Sequence, residues 1–243
     1  MENNLDLFIC THRDFDKVVS SDVYKVIDSR KIGKVHLPLD DLFYSELYQF
    51  KYVFDNYQLK DYVGFCHYRR YFKFLDKVDV DSLFKDFDVI TATPILFKGT
   101  VKEHYNYYHN VDDFNLIGDI IKDKFKDYYE TYLKFSDSNL FLPYNMFIMK
   151  SKDFKEYCTF VFGVLSEYTK IVGTDIRKRI KDNKDKYLKS FSPNDTVDYQ
   201  YRIGGYLAER LTNIFILNNF NLDKIGSIGI IRTEKKYCNE GNI

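Results

Sequence analysis

Residues 62–72 have the sequence YVGFCHYRRYF, in which a short apolar run ends abruptly in a polar and cationic block. The run from Tyr62 to His67 predicts a buried β-strand, because strands are short, rich in aromatic and β-branched residues, and bounded by polar residues. Tyr68, Arg69 and Arg70 follow at the point where such a strand would leave the sheet. The stretch therefore predicts a central strand that carries hydrogen-bond donors to the edge of a sheet.

The residues before this strand predict another strand and a helix. The apolar run 5–10 breaks into the polar residues 11–14, as at the end of a buried strand. A second short apolar run covers 34–39, and Asp40 with Asp41 then supplies a helix N-cap. Apolar residues at helical spacing predict an amphipathic helix over 42–57. Strand, helix and strand thus follow in order.

The residues after the central strand continue the alternation, and Pro94 stops one of the strands. Strands next to helical segments indicate an α/β fold: a single domain over residues 1–243 with a central, mainly parallel sheet flanked by helices. The expected elements are a helix over 80–87, a strand over 89–93, a polar loop over 103–109, a helix over about 113–134, a strand over 140–149, and helices over 152–168 and 199–218. The Lys- and Arg-rich segment 177–189, which leads into a loop at 192–195, is expected to be exposed.

Composition and charge exclude several classes of protein. Thirty-six basic and 36 acidic residues give a net charge of zero, which argues against a general nucleic-acid binder. The N-terminus has neither the positive charge nor the apolar length of a secretory signal, and no apolar run is long enough to span a membrane. These features predict a cytoplasmic protein. Four cysteines without paired spacing are interpreted as reduced thiols: Cys10, Cys66, Cys158 and Cys238.

The adjacent arginines Arg69 and Arg70 are the most informative motif. In open α/β sheets ligands bind beyond the carboxyl ends of the strands, and guanidinium groups bind phosphate oxygens bidentately. The alternative is that both arginines only solvate a strand end or pair with aspartates. No Gly-rich phosphate-binding fingerprint follows any strand, which argues against a P-loop NTPase or a dinucleotide-dependent dehydrogenase.

His104 and His109, with Glu103, raise the alternative of a metal-dependent hydrolase, although their spacing matches no standard zinc pattern. The last predicted helix has a polar face opposite its apolar stripe. That face consists of Arg202, Gly205, Glu209 and Asn213.

With these residues in view, the chain resembles a family of bacterial capsule and exopolysaccharide biosynthesis proteins, long classed as a domain of unknown function and now grouped with the glycosyltransferases. The resemblance rests on Thr11-His12, Glu46-Leu47, the block 63–72 with its His-Tyr-Arg-Arg-Tyr-Phe motif, the block 143–150, and the block 205–211. It implies a GT-A-like fold and an inverting transfer of a sugar, galactofuranose in some members, from a UDP-sugar to a growing glycan. An Asp-x-Asp metal motif is expected after the central strand, and His67-Tyr68-Arg69 stands there instead. We therefore expect no divalent metal and no other cofactor.

For such a transfer, the chemistry of the residues assigns roles as follows. Donor-binding residues would be Thr11 and His12 near the base or ribose, and His67, Tyr68, Arg69 and Arg70 at the diphosphate. The acceptor or sugar pocket would comprise Asn145, Met146, Arg202 and Arg210. The catalytic base would be Glu209, with Asp195 and Asp88 as alternatives.

The expected partners are a UDP-sugar and a glycan acceptor, lipid-linked at the inner face of the cell membrane, where segment 177–189 would contact anionic headgroups. The alternative function is a non-catalytic nucleotide-sugar- or glycan-binding assembly protein of the same fold.

Overall fold

A computed structural model describes residues 4–16, 24–73, 79–189 and 195–233. Its strands are β1 (Leu5–Thr11), β2 (Tyr24–Asp28), β3 (Tyr62–His67), β4 (Arg70–Phe72), β5 (Val89–Ala92), β6 (Ile95–Leu96), β7 (Leu140–Phe141), β8 (Phe147–Lys150), β9 (Ile225–Ile228) and β10 (Ile230–Arg232). Its helices are α1 (Asp41–Tyr44), α2 (Leu47–Asn56), α3 (Val80–Asp86), α4 (Val101–Tyr108), α5 (Val111–Lys124), α6 (Tyr129–Asp137), α7 (Ser151–Val172), α8 (Ile176–Asp182), α9 (Lys184–Tyr187), α10 (Val197–Gln200) and α11 (Ile203–Asn219). Single 3₁₀ turns cover Lys126–Tyr128 and Leu222–Lys224.

The central sheet is mixed, with most of its strands running one way. Strand β1 lies between β2 and β3 and is parallel to both. Strand β8 inserts antiparallel between β3 and β5, and β9 then pairs parallel with β5. Strands β2, β1, β3, β5 and β9 therefore share one direction and β8 opposes them. This confirms the α/β class with its mainly parallel sheet.

A short ladder extends the sheet beyond the end of β3. The chain reverses at residues 68 and 69, so that His67 pairs with Arg70 of β4. Strand β10 then pairs antiparallel with β4. The cationic block of the sequence therefore lies where β3 and β4 meet, at the carboxyl edge of the parallel strands.

Side chains alternate along each strand and so point to both faces of the sheet. Each face holds a buried cluster of its own. Phe8 and Phe65 point to the face covered by α2, α5, α7 and α11, which holds most of the core. Leu7 and Ile9 point to the opposite face and pack with residues such as Val80 of α3. Burial of each such aromatic or aliphatic side chain contributes about 1.5–3 kcal/mol, so β1 is anchored from both sides.

Several predicted elements have different bounds in the structure. The helix predicted over 42–57 is two helices, α1 and α2, because the chain breaks at Ser45, whose φ is 52°. The loop predicted over 103–109 is wrong: this stretch lies in α4, which begins with a capping box between Thr100 and Glu103. Four other predictions were nearly right: Asp40 caps α1, helix 80–87 is α3, strand 89–93 is β5, and helix 152–168 is α7. Three more predictions joined two elements each. Helix 113–134 covers α5 and part of α6, strand 140–149 covers β7 and β8, and helix 199–218 covers part of α10 and α11.

Five strands were not predicted, namely β2, β4, β6, β9 and β10, and the apolar run 34–39 forms no strand. Segment 177–189, expected to be exposed, forms α9 and most of α8 and is largely exposed, with Ile180 and Tyr187 buried. Residues 192–194 of the predicted loop lie outside the described residues.

Three cysteines are buried free thiols, namely Cys10, Cys66 and Cys158, and Cys238 lies outside the described residues. Among the helices of the described ranges, none has the length and apolar character needed to cross a membrane.

Candidate active site

A cavity of about 430 Å³ opens at the carboxyl ends of β1 and β3. These two strands end side by side, since Cys10 is the register partner of His67. The residues just past each strand, Thr11 to Arg13 and Tyr68 with Arg69, line one side of the cavity. The other side is lined by Asp41 and Leu42 of α1, by Ser45, Glu46 and Gln49 around the start of α2, and by Arg202. The cavity thus lies at the edge of the sheet where ligands bind in open α/β folds.

Positive charge dominates one wall of this cavity. The guanidinium carbons of Arg13 and Arg69 lie 5.1 and 5.6 Å from the centre of the Tyr68 ring. Burial, followed by the charges of Arg13, Arg202 and Arg69, lowers the pKa of His12. A neutral histidine and several guanidinium groups around one cavity form a set of donors suited to an anion with several oxygens.

A buried carboxylate, Glu46, lies at the floor. His67 Nε2 is 3.6 Å from Glu46 Oε1, and Asn145 Nδ2 donates to the same oxygen at 2.8 Å. His67 Nε2 also lies 3.0 Å from the carbonyl oxygen of Tyr144, which can only accept, so this nitrogen carries a proton. Burial would raise the pKa of Glu46, but the charge of His67 and the hydrogen bonds from His67 and Asn145 outweigh it and hold the pKa at about 2.

A second carboxylate, Glu209, lies beside the first. The backbone N–H of Tyr144 donates to Glu209 Oε1 at 3.1 Å, and Arg210 Nη1 donates to Oε2 at 3.1 Å. The Glu209 side chain is 23% exposed. Burial raises the pKa of Glu209 above its usual value, with Arg210 opposing the shift and Glu46 adding to it. The two carboxylates therefore have pKa values displaced in opposite directions.

Strained backbone conformations are concentrated at this site. In the described part of the chain the non-glycine residues with positive φ are Ser45, Tyr144 and Asn145, at 52°, 77° and 50°. Each touches a site residue: Arg202 Nε donates to Ser45 Oγ at 3.1 Å, and the other two residues hold the carboxylates. Such conformations cost on the order of 1–3 kcal/mol and persist where the surroundings enforce them.

Two glycines of α11 allow the Ser45 turn to approach this helix. A Cβ on Gly204 would come within 2.9 Å of the carbonyl oxygen of Phe43. A Cβ on Gly205 would lie 2.6 Å from Ser45 Oγ. Close contact between the α1 end and α11 therefore depends on the absence of side chains at both positions.

Most of the residues predicted for the site are brought together. Six predicted residues line the cavity, namely Thr11, His12, His67, Tyr68, Arg69 and Arg202. Asn145 and Glu209 lie directly behind its floor through their bonds to Glu46 and Tyr144. Arg70 lies on the other side of the Tyr144 turn, its guanidinium carbon 4.4 Å from the Tyr144 ring centre.

Four predicted residues lie elsewhere. Met146 is buried in the core on the α3 side of the sheet, so its side chain forms no pocket wall. Arg210 is also buried and serves as the ion partner of Glu209, between the rings of Tyr105 and Phe141.

The two aspartates that were alternatives to Glu209 are also displaced from the cavity. Asp88 precedes β5, which runs parallel to β3, and therefore lies at the opposite edge of the sheet from His67, where it pairs with Lys150. Asp195 accepts a hydrogen bond from Gln200, whose other contacts are His109 and the carbonyl of Tyr108. None of these residues lines the cavity.

The histidines considered for a metal site have other roles. His104 stacks on Phe97 and lies 3.4 Å from Arg210, and burial lowers its pKa to about 4. His109 stacks on Tyr206 and contacts Gln200. Within the described residues, no group of three or more His, Cys, Asp or Glu side chains is placed to hold a metal ion.

Several residues of the site were not predicted from the sequence. Glu46 was noted only as part of the resemblance, and Arg13, Ser45, Gln49 and Tyr144 were not singled out. Gln49 Nε2 donates to the carbonyl oxygen of Thr11 at 2.9 Å, while its Oε1 is buried without a partner. The sequence did offer a signal for two of them, because Glu46 and Gln49 are polar residues on the buried side of a predicted helix.

The chain is similar to a solved structure in fold and to a known family in sequence. A search of curated proteins gives no match. A solved chain described as the apo structure of the WbbM bifunctional glycosyltransferase has the same fold, with a TM-score of 0.73 and 19% sequence identity. The alignment covers 96% of this chain and 46% of that one, so this chain spans less than half the length of its structural relative. The family model described as "Domain of unknown function (DUF4422)" matches residues 39–189, more than half of the chain. The protein therefore belongs to the DUF4422 family.

Proposed function

We propose that this protein is an inverting glycosyltransferase that moves a sugar from a UDP-sugar to a growing capsular or exopolysaccharide glycan. The observation that carries the proposal is the site itself: a cationic cavity at the carboxyl ends of β1 and β3, with Glu46 at its floor, Glu209 directly behind it, and the pKa values of the two displaced in opposite directions. The fold shared with a described glycosyltransferase supports it.

The cationic wall suits the diphosphate of the donor. Arg69 and Arg202 line the cavity together with Arg13, and their N–H groups would bind phosphate oxygens and stabilise the charge that develops on the departing UDP. Thr11 and His12 lie at the end of β1, in position to contact the ribose or base. With arginines in this role, the reaction needs no divalent cation.

Glu209 is the proposed catalytic base. Two carboxylates whose surroundings separate their pKa values are suited to two different tasks. Glu46, with a pKa of about 2, is a weak proton acceptor and instead fixes His67. Glu209 has a raised pKa and is partly exposed, and its two oxygens keep lone pairs beyond those used by Tyr144 and Arg210.

The proposed step is a single displacement. An acceptor hydroxyl oxygen attacks the anomeric carbon of the sugar on the face opposite the diphosphate, and the bond between that carbon and the phosphate oxygen breaks. The hydroxyl proton passes to a Glu209 oxygen, and the electron pair of the broken bond leaves with UDP. The product is a glycoside of inverted configuration.

Incubation with a panel of UDP-sugars and a glycan acceptor, with free UDP as the readout, tests this function. We expect UDP release that requires both substrates and falls in Glu209→Gln. A non-catalytic binding protein would instead bind UDP-sugar without releasing UDP, and that result would refute the proposal. UDP-galactofuranose and a lipid-linked acceptor belong in the panel, because the resemblance implies both.

A further inference from the structure

Two arginines lie close to the ring of Tyr144. The guanidinium carbon of Arg70 lies 4.4 Å from the ring centre and that of Arg232 lies 6.0 Å from it. Arg232 Nη2 also donates a hydrogen bond to the Tyr144 hydroxyl at 2.8 Å. Arg232 belongs to β10, far from Arg70 in the sequence, so the fold assembles this group from three separate segments.

The two arginines are placed directly opposite each other. In the antiparallel ladder between β4 and β10, Arg70 is the register partner of Arg232. Like charges at directly opposed positions destabilise a strand pair. Arg70 Nε is buried without a hydrogen-bond partner, and across the described ranges the ion pairs to carboxylates include neither arginine. Glu209 acts on Arg70 only at longer range, so the described structure places no carboxylate in direct contact with the pair.

A structural arginine–tyrosine pair in the same chain looks different. The guanidinium carbon of Arg177 lies 3.8 Å from the Tyr201 ring centre, and its Nε donates to Asp198 at 3.0 Å. The guanidinium group of Arg177 therefore both stacks on a tyrosine ring and pairs with a carboxylate. At Tyr144 two arginines approach the ring, and neither makes a direct ion pair with a carboxylate of the described residues.

The conformation of Tyr144 adds a second observation. Its φ of 77° is unusual for an aromatic residue and has an energetic cost. This conformation places the ring close to Arg70 and Arg232 while its backbone N–H holds Glu209. The arginine pair is thus tied to the proposed base by one residue.

We propose that Arg70, Tyr144 and Arg232 form a phosphate-binding shelf beside Glu209, behind the floor of the cavity. Two guanidinium groups at directly paired positions of β4 and β10, both close to one ring, present donors that can bind oxygens of the same phosphate group. This inference rests on the proposed function, because the phosphate would belong to a substrate of the transfer. It is either the donor diphosphate, reached from the cavity, or a phosphate of a lipid-linked acceptor.

Arg232→Gln tests the shelf by calorimetry with three probes: UDP, uridine and inorganic pyrophosphate. Arg232 is exposed on a short strand, so the variant should fold, and far-UV circular dichroism checks this. Arg177→Gln is the matched control, since it removes an arginine that stacks on a tyrosine and already has a carboxylate partner. The control should leave all three affinities unchanged.

The outcomes separate the two sources of phosphate. If the shelf binds the donor, Arg232→Gln weakens UDP binding about tenfold or more and leaves uridine binding unchanged. If it binds the acceptor, UDP binding is unchanged and pyrophosphate binding to the UDP-saturated protein weakens by a similar factor. Folded Arg232→Gln with UDP and pyrophosphate affinities within twofold of wild type would overturn the shelf.

Failure of the proposed function gives a different result. A wild-type protein that binds pyrophosphate through Arg232 but neither binds UDP nor releases it from UDP-sugars would retain the shelf and exclude the UDP-sugar transferase.

Discussion

Glu46 and Glu209 are held by two adjacent residues of one turn. The side-chain amide of Asn145 donates to Glu46 Oε1 at 2.8 Å, and the backbone N–H of Tyr144 donates to Glu209 Oε1 at 3.1 Å. The two carboxylates differ in their other partners, because Glu46 faces His67 whereas Glu209 lies beside Arg210. One turn therefore fixes the spacing of two acids while their surroundings set different proton affinities.

The first prediction concerns the base. Glu209→Gln should lower kcat by about 10²–10⁴-fold, because general-base catalysis contributes that much, and leave UDP affinity nearly unchanged. Steady-state kinetics with calorimetric UDP binding checks this. Asp88→Asn is the matched control, since Asp88 lies at the opposite edge of the sheet. Normal turnover in Glu209→Gln would remove Glu209 from the mechanism.

The second prediction concerns stability and pH. The pKa of Glu46 is depressed to about 2 from 4.5, so its contribution is present above pH 4.5 and is lost as pH falls through 2. Glu46→Gln should therefore reduce the free energy of unfolding at pH 7, by up to about 3 kcal/mol, and flatten its decline in acid.

The pKa of Glu209 is raised, so the opposite sign applies: its protonated form stabilises the fold, and that contribution is lost as pH rises above its folded pKa. Glu209→Gln should be as stable as wild type at pH 7, or more stable. Urea unfolding of both variants at pH 4, 5 and 7 makes the comparison. Equal destabilisation of the two variants at pH 7 would contradict the assigned environments.

The third prediction concerns Arg69, which lines the cavity. Arg69→Ala should lower kcat/KM by about 10²-fold or more while the protein stays folded, and Arg69→Lys should restore only part of the loss because an ammonium lacks the bidentate geometry. Arg177→Ala, outside the cavity, is the control. An Arg69→Ala enzyme with normal kinetics would exclude a role in binding the diphosphate.

Sequence patterns located the site because the informative residues follow apolar strands. Thr11, His12 and Arg69 could be found in this way, since each stands just past a run that could only be a buried strand. The class of fold followed from the same runs. Strands β2 and β10 were not predicted because they are short and lack a strong alternating pattern. Their pairing with β1 and β4 is what stabilises them.

The other side of the site depends on backbone geometry that no periodicity encodes. Glu46 lies within a stretch of helical spacing, so nothing in the pattern shows that the chain breaks at Ser45 and turns the carboxylate toward His67. Tyr144 lay inside an apolar run interpreted as one strand, whereas its positive φ divides that run into β7 and β8. Tertiary contacts with α11 impose both conformations.

The fourth prediction is that activity persists in EDTA and is not raised by Mn²⁺ or Mg²⁺. Arginines occupy the cavity wall, and its carboxylates have other partners: Asp41 accepts from Ser29, and Glu46 accepts from Asn145. UDP release measured before and after chelation checks this. Loss of activity in EDTA that is restored by either cation would refute metal independence.

The fifth prediction concerns contact with membranes. Within segment 177–189, four basic residues each pair with an aspartate, namely Arg177, Lys178, Arg179 and Lys186. Lys181 and Lys184 are exposed, whereas Lys189 is half-buried, so Lys181 and Lys184 are the basic residues best placed to meet anionic lipid. We expect co-sedimentation with anionic vesicles at low salt, weakened about tenfold or more in Lys181→Gln/Lys184→Gln, at about 1 kcal/mol per basic residue.

The control for vesicle binding is Lys134→Gln/Lys152→Gln, which makes the same charge change on α6 and α7. Equal loss of binding in both double variants would show that net charge alone, and not this segment, attracts the protein to lipid. Absence of binding at low salt would contradict membrane contact altogether.

The paired glycines Gly204 and Gly205 link thermostability to activity. Glycine in a helix is disfavoured by up to about 1 kcal/mol relative to alanine, so both positions would be obvious targets for stabilising substitution. A methyl group at either one would press on Phe43 or Ser45, and Ser45 in turn bonds to Arg202 and precedes Glu46. Alanine at Gly204 or Gly205 would therefore raise the helix propensity of α11 but displace residues of the proposed active site. Stabilising substitutions are better placed elsewhere in the chain.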